Sequence, residues 1–204
     1  MIENETHTTY YDNGQVKEIC ALKDGKLDGE VVTYTEGGLI SQQANFTEGK
    51  LNGDTTLYDE NGLVAQKMTF KDGHLNGQMM IYNEGVLQVT STHKDGQQEG
   101  EFIAYDESGS VVHRANYTGG KLNGEAMWYD GGGVLIKRSQ FLDGKLDGVT
   151  NEYYPNGQVQ TASQYKAHKL HGEVVAYSPE GIVVHRAYYV DGKPAPLPLL
   201  PPQS

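Results

Sequence analysis

Three observations predict an all-β fold, an elongated single-layer meander of about eight antiparallel β-hairpins in an open twisted sheet. The first is composition: glycine supplies 26 of 204 residues, and tyrosine 14 against 4 Phe and 1 Trp, where glycine usually makes up about 7%. The second is a six-residue motif with two glycines that returns at a fixed period of 24 residues, the mark of a repeat architecture. The third is a period-2 alternation of apolar and polar residues between turn signals. No unit holds a helical period, and the glycine spacing would interrupt one.

The chain opens on Met1-Ile-Glu-Asn-Glu5, which has neither the basic start nor the apolar run of a signal peptide. A cytoplasmic location is expected, or a periplasmic one if a leader has been removed. In residues 1–23 the positions of the glycine pair hold Met1 and Glu5. That segment therefore reads as the capping unit that linear arrays need.

The repeats span residues 24–190. Asp24-Gly-Lys-Leu-Asp-Gly29 returns as Glu48-Gly-Lys-Leu-Asn-Gly53, Asp72-Gly-His-Leu-Asn-Gly77 and Asp95-Gly-Gln-Gln-Glu-Gly100. It returns again as Gly119-Gly-Lys-Leu-Asn-Gly124, Asp143-Gly-Lys-Leu-Asp-Gly148 and Ala167-His-Lys-Leu-His-Gly172. One unit has 23 residues, its turn before Gly85 being one residue shorter. A tyrosine sits five residues after the second glycine each time: Tyr34, Tyr58, Tyr82, Tyr105, Tyr129, Tyr153 and Tyr177.

Each unit reads as one hairpin. A first strand such as Asp54–Tyr58 leads to the turn Asp59-Glu-Asn-Gly62, whose Asp, Asn and Gly are tight-turn residues. A second strand runs from about Leu63 to Phe70, and Asp72-Gly73 turns into the next unit. If Tyr34 opposes Leu39, then Leu27, Gly29, Val31 and Thr33 share a face with Ile40, Ala44 and Phe46. That face reads as a continuous core in which small residues make room for aromatic ones. The other face carries the tyrosine column and, beside it, Glu30, Asp54, Gln78, Glu101, Glu125, Val149 and Glu173. With two strands per unit, such an array would be roughly 75–80 Å long.

Residues 1–193 form one array, with a stub at 191–193, and a Pro-rich tail at 194–204 follows. Proline joins a ladder only at an edge. The tail reads as a stop to edge pairing, or as a polyproline recognition segment.

The unit Asp-Gly-Lys-Leu-Asp/Asn-Gly-x4-Tyr-x3-Gly resembles the variant MORN repeat (membrane occupation and recognition nexus). It is especially similar to the bacterial form in MORN-repeat antitoxin and immunity-like proteins. The resemblance covers Tyr10 to Lys193. It implies an open meander of hairpins and a role in protein binding, scaffolding or neutralising a cognate toxin. Some MORN proteins are discussed as lipid binders; this chain departs from them in its net charge of −11 and its lack of a basic stripe.

Chemistry is sparse. The chain carries no phosphate-binding glycine loop, nucleophile elbow or His-Glu-x-x-His motif. No enzymatic activity, cofactor or metal is expected. Asp24, Asp28, Asp143 and Asp147 read as turn formers rather than calcium ligands, since the spacing of calcium loops is absent. His168 and His171 read as repeat drift rather than a metal pair. Cys20 lies in an alternating apolar stretch and reads as buried filler; a lone cysteine makes no internal disulfide. No run approaches 18 apolar residues. The acid excess repels nucleic-acid phosphates and anionic headgroups. It suits a basic protein partner, or solubility alone.

The partner-binding candidates are Tyr58, Tyr82, Tyr105, Tyr129 and Tyr153, with Glu101, Glu125, Trp128, Arg114 and Arg186. Tyrosine offers contact area at low entropy cost, though a tyrosine in every unit also suits packing between repeats. Trp128 stands where other units have Leu57 or Ile81, so it reads as core or as an exposed anchor. Val111-Val-His-Arg-Ala115 recurs unchanged as Val183-Val-His-Arg-Ala187, which reads as block duplication or as two matching contact points. The functional expectation is a binding protein that neutralises a toxin or effector. Alternatives are a self-assembling scaffold or homodimer and a membrane-surface binder.

Overall fold

A computed structural model describes residues 5–198. The described residues hold seventeen strands and no helix, in one open antiparallel sheet. The expected stub continues past residue 193 as a short edge strand, and the tail beyond Pro198 lies outside the described residues. By compactness the chain divides into residues 1–100 and 101–204, and each unit is described by itself.

The first unit contains β1 (Glu5–Tyr10), β2 (Val16–Lys23), β3 (Lys26–Tyr34), β4 (Ile40–Thr47), β5 (Lys50–Tyr58), β6 (Val64–Lys71), β7 (His74–Asn83) and β8 (Val86–Lys94). The dividing point falls within β9 (Gln97–Tyr105). The second unit continues with β10 (Val111–Thr118), β11 (Lys121–Tyr129), β12 (Leu135–Leu142), β13 (Lys145–Tyr153), β14 (Val159–Lys166), β15 (Lys169–Tyr177), β16 (Val183–Val190) and β17 (Lys193–Ala195).

Two kinds of turn alternate. Asp59-Glu-Asn-Gly62 closes with Gly62 N–H donating to the Asp59 carbonyl at 3.0 Å. The Asp59 carboxylate accepts from the N–H groups of Asn61 and Leu63, both at 2.9 Å, the local bonding that favours Asp here. The second turn has two residues. Glu48 and Gly49 sit at φ 49° and 81°, the paired positive angles of a type I′ hairpin. Thr47 therefore faces Lys50 directly, and the first strand begins at Lys50, four residues before the Asp54 start expected from sequence. Ala167 and His168 hold the same conformation without glycine, at φ 48° and 71°. The short turn at Glu84-Gly85 is also of the two-residue type, with Asn83 opposite Val86.

The expected register is corrected in two ways. Tyr34 pairs with Ile40 rather than Leu39, and the body of the hairpin pairs Val31 with Ala44 and Gly29 with Phe46. Ser41 is the extra residue of a β-bulge, and its hydroxyl lies 3.1 Å from that of Thr33. Ser41 thus takes the core side, and Ile40 turns to the face of Tyr34. Ile40, expected on the core face, belongs with the tyrosines, as do its counterparts Val64, Leu135 and Val159. A bulge carries one unpaired residue that alternation cannot reveal.

The core is a strip of small side chains. Ala126 and Ser139 are 0% exposed, and Ala44 and Ala115 1%. Cys20, Val31, Thr55, Ser91 and Thr150 are also buried. Phe46, opposite both Gly29 and Leu51, flanks this strip in the first unit. Phe141, opposite Gly124 and Leu146, does so in the second. Large side chains on either side roof over a row of alanine and serine, which is how a single sheet buries anything at all.

Candidate functional site

On the tyrosine face the predicted residues are tied into the sheet. In the first unit the Tyr58 hydroxyl bonds the Gln43 side chain, and the Tyr82 hydroxyl donates to the Met80 sulfur at 3.3 Å. A shallow depression of about 330 Å³ lies nearby, lined by Asp54, Lys67, Thr69 and Met80 among others. In the second unit Tyr129 donates to the Met127 sulfur at 3.4 Å. Tyr105 and Tyr153 are half-buried as well.

The acidic column of the second unit is matched by arginines. Arg114 meets Glu101 at 3.0 Å, and Arg186 meets Glu173 at 3.8 Å. Arg138 pairs with Glu125, which also accepts from Gln140 at 2.9 Å. Glu125 holds the Arg138 guanidinium above its usual range. The two copies of Val-Val-His-Arg-Ala thus place their arginines alike, each on the glutamate thirteen residues earlier.

The copies differ on the other face. His113 stacks on Trp128, with ring centroids 4.8 Å apart and planes at 21°. Phe102 lies 5.6 Å from His113 and 6.1 Å from Tyr117. Lys137 Nζ sits 5.6 Å from the Trp128 ring centre and 3.9 Å from Glu152. His185 is exposed and lacks such a stack. The register explains the cluster: His113 opposes Trp128, and Trp128 opposes Lys137 on its other side. Sequence reading singled out His113 and Trp128 separately but missed Phe102 and Lys137. The available signal was Phe102 itself, which occupies a phase held by Val31, Thr55 and Ala126 elsewhere.

The cluster is only half-buried, and among the described residues the extensive strand contacts of this unit are between sequence neighbours. His113 Nε2 is buried without a hydrogen-bond partner, and burial pushes the imidazole below its ordinary range. The stack therefore favours neutral imidazole.

Cys20 is buried, and burial, with Glu18 adding to it, pushes its thiol up. Among the described residues no group of three or more His, Cys, Asp and Glu side chains could hold a metal ion. Asp28 accepts from the Glu48 N–H at 3.2 Å, and Asp147 from the Ala167 N–H at 3.1 Å. Asp24 and Asp143 are turn residues at φ 52° and 50°. His168 Nδ1 accepts from the Leu146 N–H at 3.1 Å, while His171 lies 3.3 Å from Asp191.

The hairpin closed by the wider turn is the unit that comparison detects. Four segments match the MORN repeat variant: residues 6–24, 51–72, 98–118 and 146–167. Each MORN-variant match includes first- and second-strand residues of the hairpin array. No curated protein matches the chain. Among solved structures, one similar chain belongs to accessory secretory protein 1, 2 and 3 of Streptococcus pneumoniae. It is 22% identical over 48% of this chain and 18% of that one, at a TM-score of 0.31. Another belongs to the TcdB2-TccC3-Cdc42 structure, 12% identical over 91% of this chain and 15% of that one, at 0.18. The chain thus spans less than a fifth of either protein's length. MORN-variant repeats on an open sheet are consistent with a binding or scaffold role.

Proposed function

We propose that this chain is a non-enzymatic protein-binding repeat protein that neutralises a cognate toxin or secreted effector by binding and occluding it. The supporting observation is the half-buried stack of Phe102, His113 and Trp128. Such a preformed aromatic surface, with its side chains already ordered, suits the centre of an interface. Tyr105, Tyr129 and Tyr153 with Glu101 and Glu125 occupy the opposite face, where the ion-paired arginines leave the chain's net charge of −11 to steer a basic partner.

The test is co-expression of the tagged chain with the products of genes adjacent to its own. A 1:1 complex that protects cells from a toxic neighbour is the expected result. Trp128→Ala, with its fold checked by circular dichroism, should weaken the complex at least about 30-fold, as loss of a central anchor does. Undiminished affinity in that variant, or no complex with any neighbour, overturns the proposal.

A further inference from the structure

The strand order leaves one edge of each unit unfinished, and the two edges complement each other. β16 repeats the sequence of β10 over Val183–Ala187. In β10 that segment is paired with the next strand, His113 to Trp128, Arg114 to Met127 and Ala115 to Ala126. In β16 the outer side pairs only at its far end: Tyr188 with Ala195, Tyr189 with Pro194 and Val190 with Lys193. Over Val183–Ala187 the outer edge has no strand beside it among the described residues. Apolar side chains are left open there, Ile182 at 66% and Val184 at 64% exposed.

What is missing can be named by phase. β11 has nine residues. β17 has three, Lys193 to Ala195, in the phases of Lys121 to Asn123. β1 has six, Glu5 to Tyr10, and its pairing with β2 puts it in the phases of Gly124 to Tyr129. Among the described residues β17 thus ends in the phase just before the one in which β1 begins. Among the described residues β1 pairs with β2, and no strand pairs its outer side. The split falls at the bulge, where inner strands need a glycine with positive φ such as Gly124 at 94°. Where the strand is split no bulge has to form, and β1 carries Glu5 in that phase.

We propose that copies of this chain join head to tail, β1 of one copy adding to the open edge of β16 in the next and completing the strand that β17 begins. The register follows β10 and β11: Arg186 faces Thr8 of the second copy, His185 faces Thr9 and Ala187 faces His7. Such an interface joins unlike surfaces, so it extends rather than closes. An unpaired stretch of edge strand is the ordinary template for such pairing.

Disulfide trapping tests it. Directly opposed Cα atoms in an antiparallel pair lie about 4.5–5.5 Å apart, within disulfide reach. In a Cys20→Ser background, chains carrying Thr8→Cys and chains carrying Arg186→Cys are mixed and mildly oxidised. A cross-linked dimer is expected in the mixture and not in either sample alone. A chain with both substitutions should give a ladder of multiples. For the unsubstituted chain, light scattering should show a mass that rises with concentration without stopping at two copies. Cross-linking within either single-cysteine sample, or none in the mixture, overturns the proposal. His185→Cys with Thr9→Cys serves if Trp128 fluorescence shows either first variant to be misfolded.

Discussion

Gly148 and Gly157 bracket one hairpin of the second unit, and replacing each by alanine should separate two physical effects. Gly157 sits at φ 83°, and a Cβ there would have nothing within 4 Å. Alanine at that position meets only the positive-φ penalty of an L-residue, about 1–2 kcal/mol. Gly148 sits at φ 112°, and its Cβ would come 2.8 Å from Gln140 Cβ. The backbone term there is about 1–3 kcal/mol, and forced overpacking adds about 1–3 kcal/mol. Gly148→Ala should thus cost about 2–6 kcal/mol, more than Gly157→Ala. Urea unfolding followed by Trp128 fluorescence reads both, since that is the only tryptophan. The Gln140→Gly change tests the steric part, because it removes the opposing Cβ. In a double-mutant cycle Gly148→Ala should then be relieved by about 1 kcal/mol or more. Equal midpoint shifts for the two alanine variants, or no coupling to Gln140, would refute the close-approach argument.

Other expectations follow from the same geometry. Burial lowers the His113 pKa below its unfolded value, so stability is full above the unfolded pKa and is lost as pH falls towards the folded one. Thermal midpoints should therefore fall between about pH 7 and pH 5, and His113→Gln should flatten part of that fall. Asp59→Ala removes an acceptor of two backbone N–H groups and should cost about 1 kcal/mol, read by urea unfolding. Ser139→Ala deprives the buried Thr150 hydroxyl of the acceptor it reaches at 3.0 Å, a loss of about 1–3 kcal/mol. Arg138→Gln breaks a partly exposed pair with Glu125 and should change stability by less than about 1 kcal/mol. A larger effect would mean the pair positions its neighbours.

Much of this fold was legible because it is one local solution written repeatedly. The two-residue turn needs positive φ at both of its residues, which Asp-Gly supplies. The wider turn needs an Asp, Asn or Ser to bond its own backbone, and those residues stand in place. The tyrosine column and the acidic column were assigned to one face, and Arg138 beside Glu125 and Tyr153 bears that out. The aliphatic phase was misplaced because Ser41 sits in a bulge. The glycines were read as room for aromatics, but Gly148 is also pressed against Gln140 at a bulge.

The amino-acid sequence by itself determined the period, the turns and which residues alternate, because hairpin turns act over a few neighbours and their chemistry is local. Only the tertiary structure decided which residues meet across strands. Pairing register depends on bulges, and a bulge shifts partners without changing the repeat. That is why Phe102, His113, Trp128 and Lys137 become one cluster although they span 36 residues. Two copies of Val-Val-His-Arg-Ala also end differently. In β10 the next strand pairs with the segment, and in β16 no strand among the described residues pairs with its outer side.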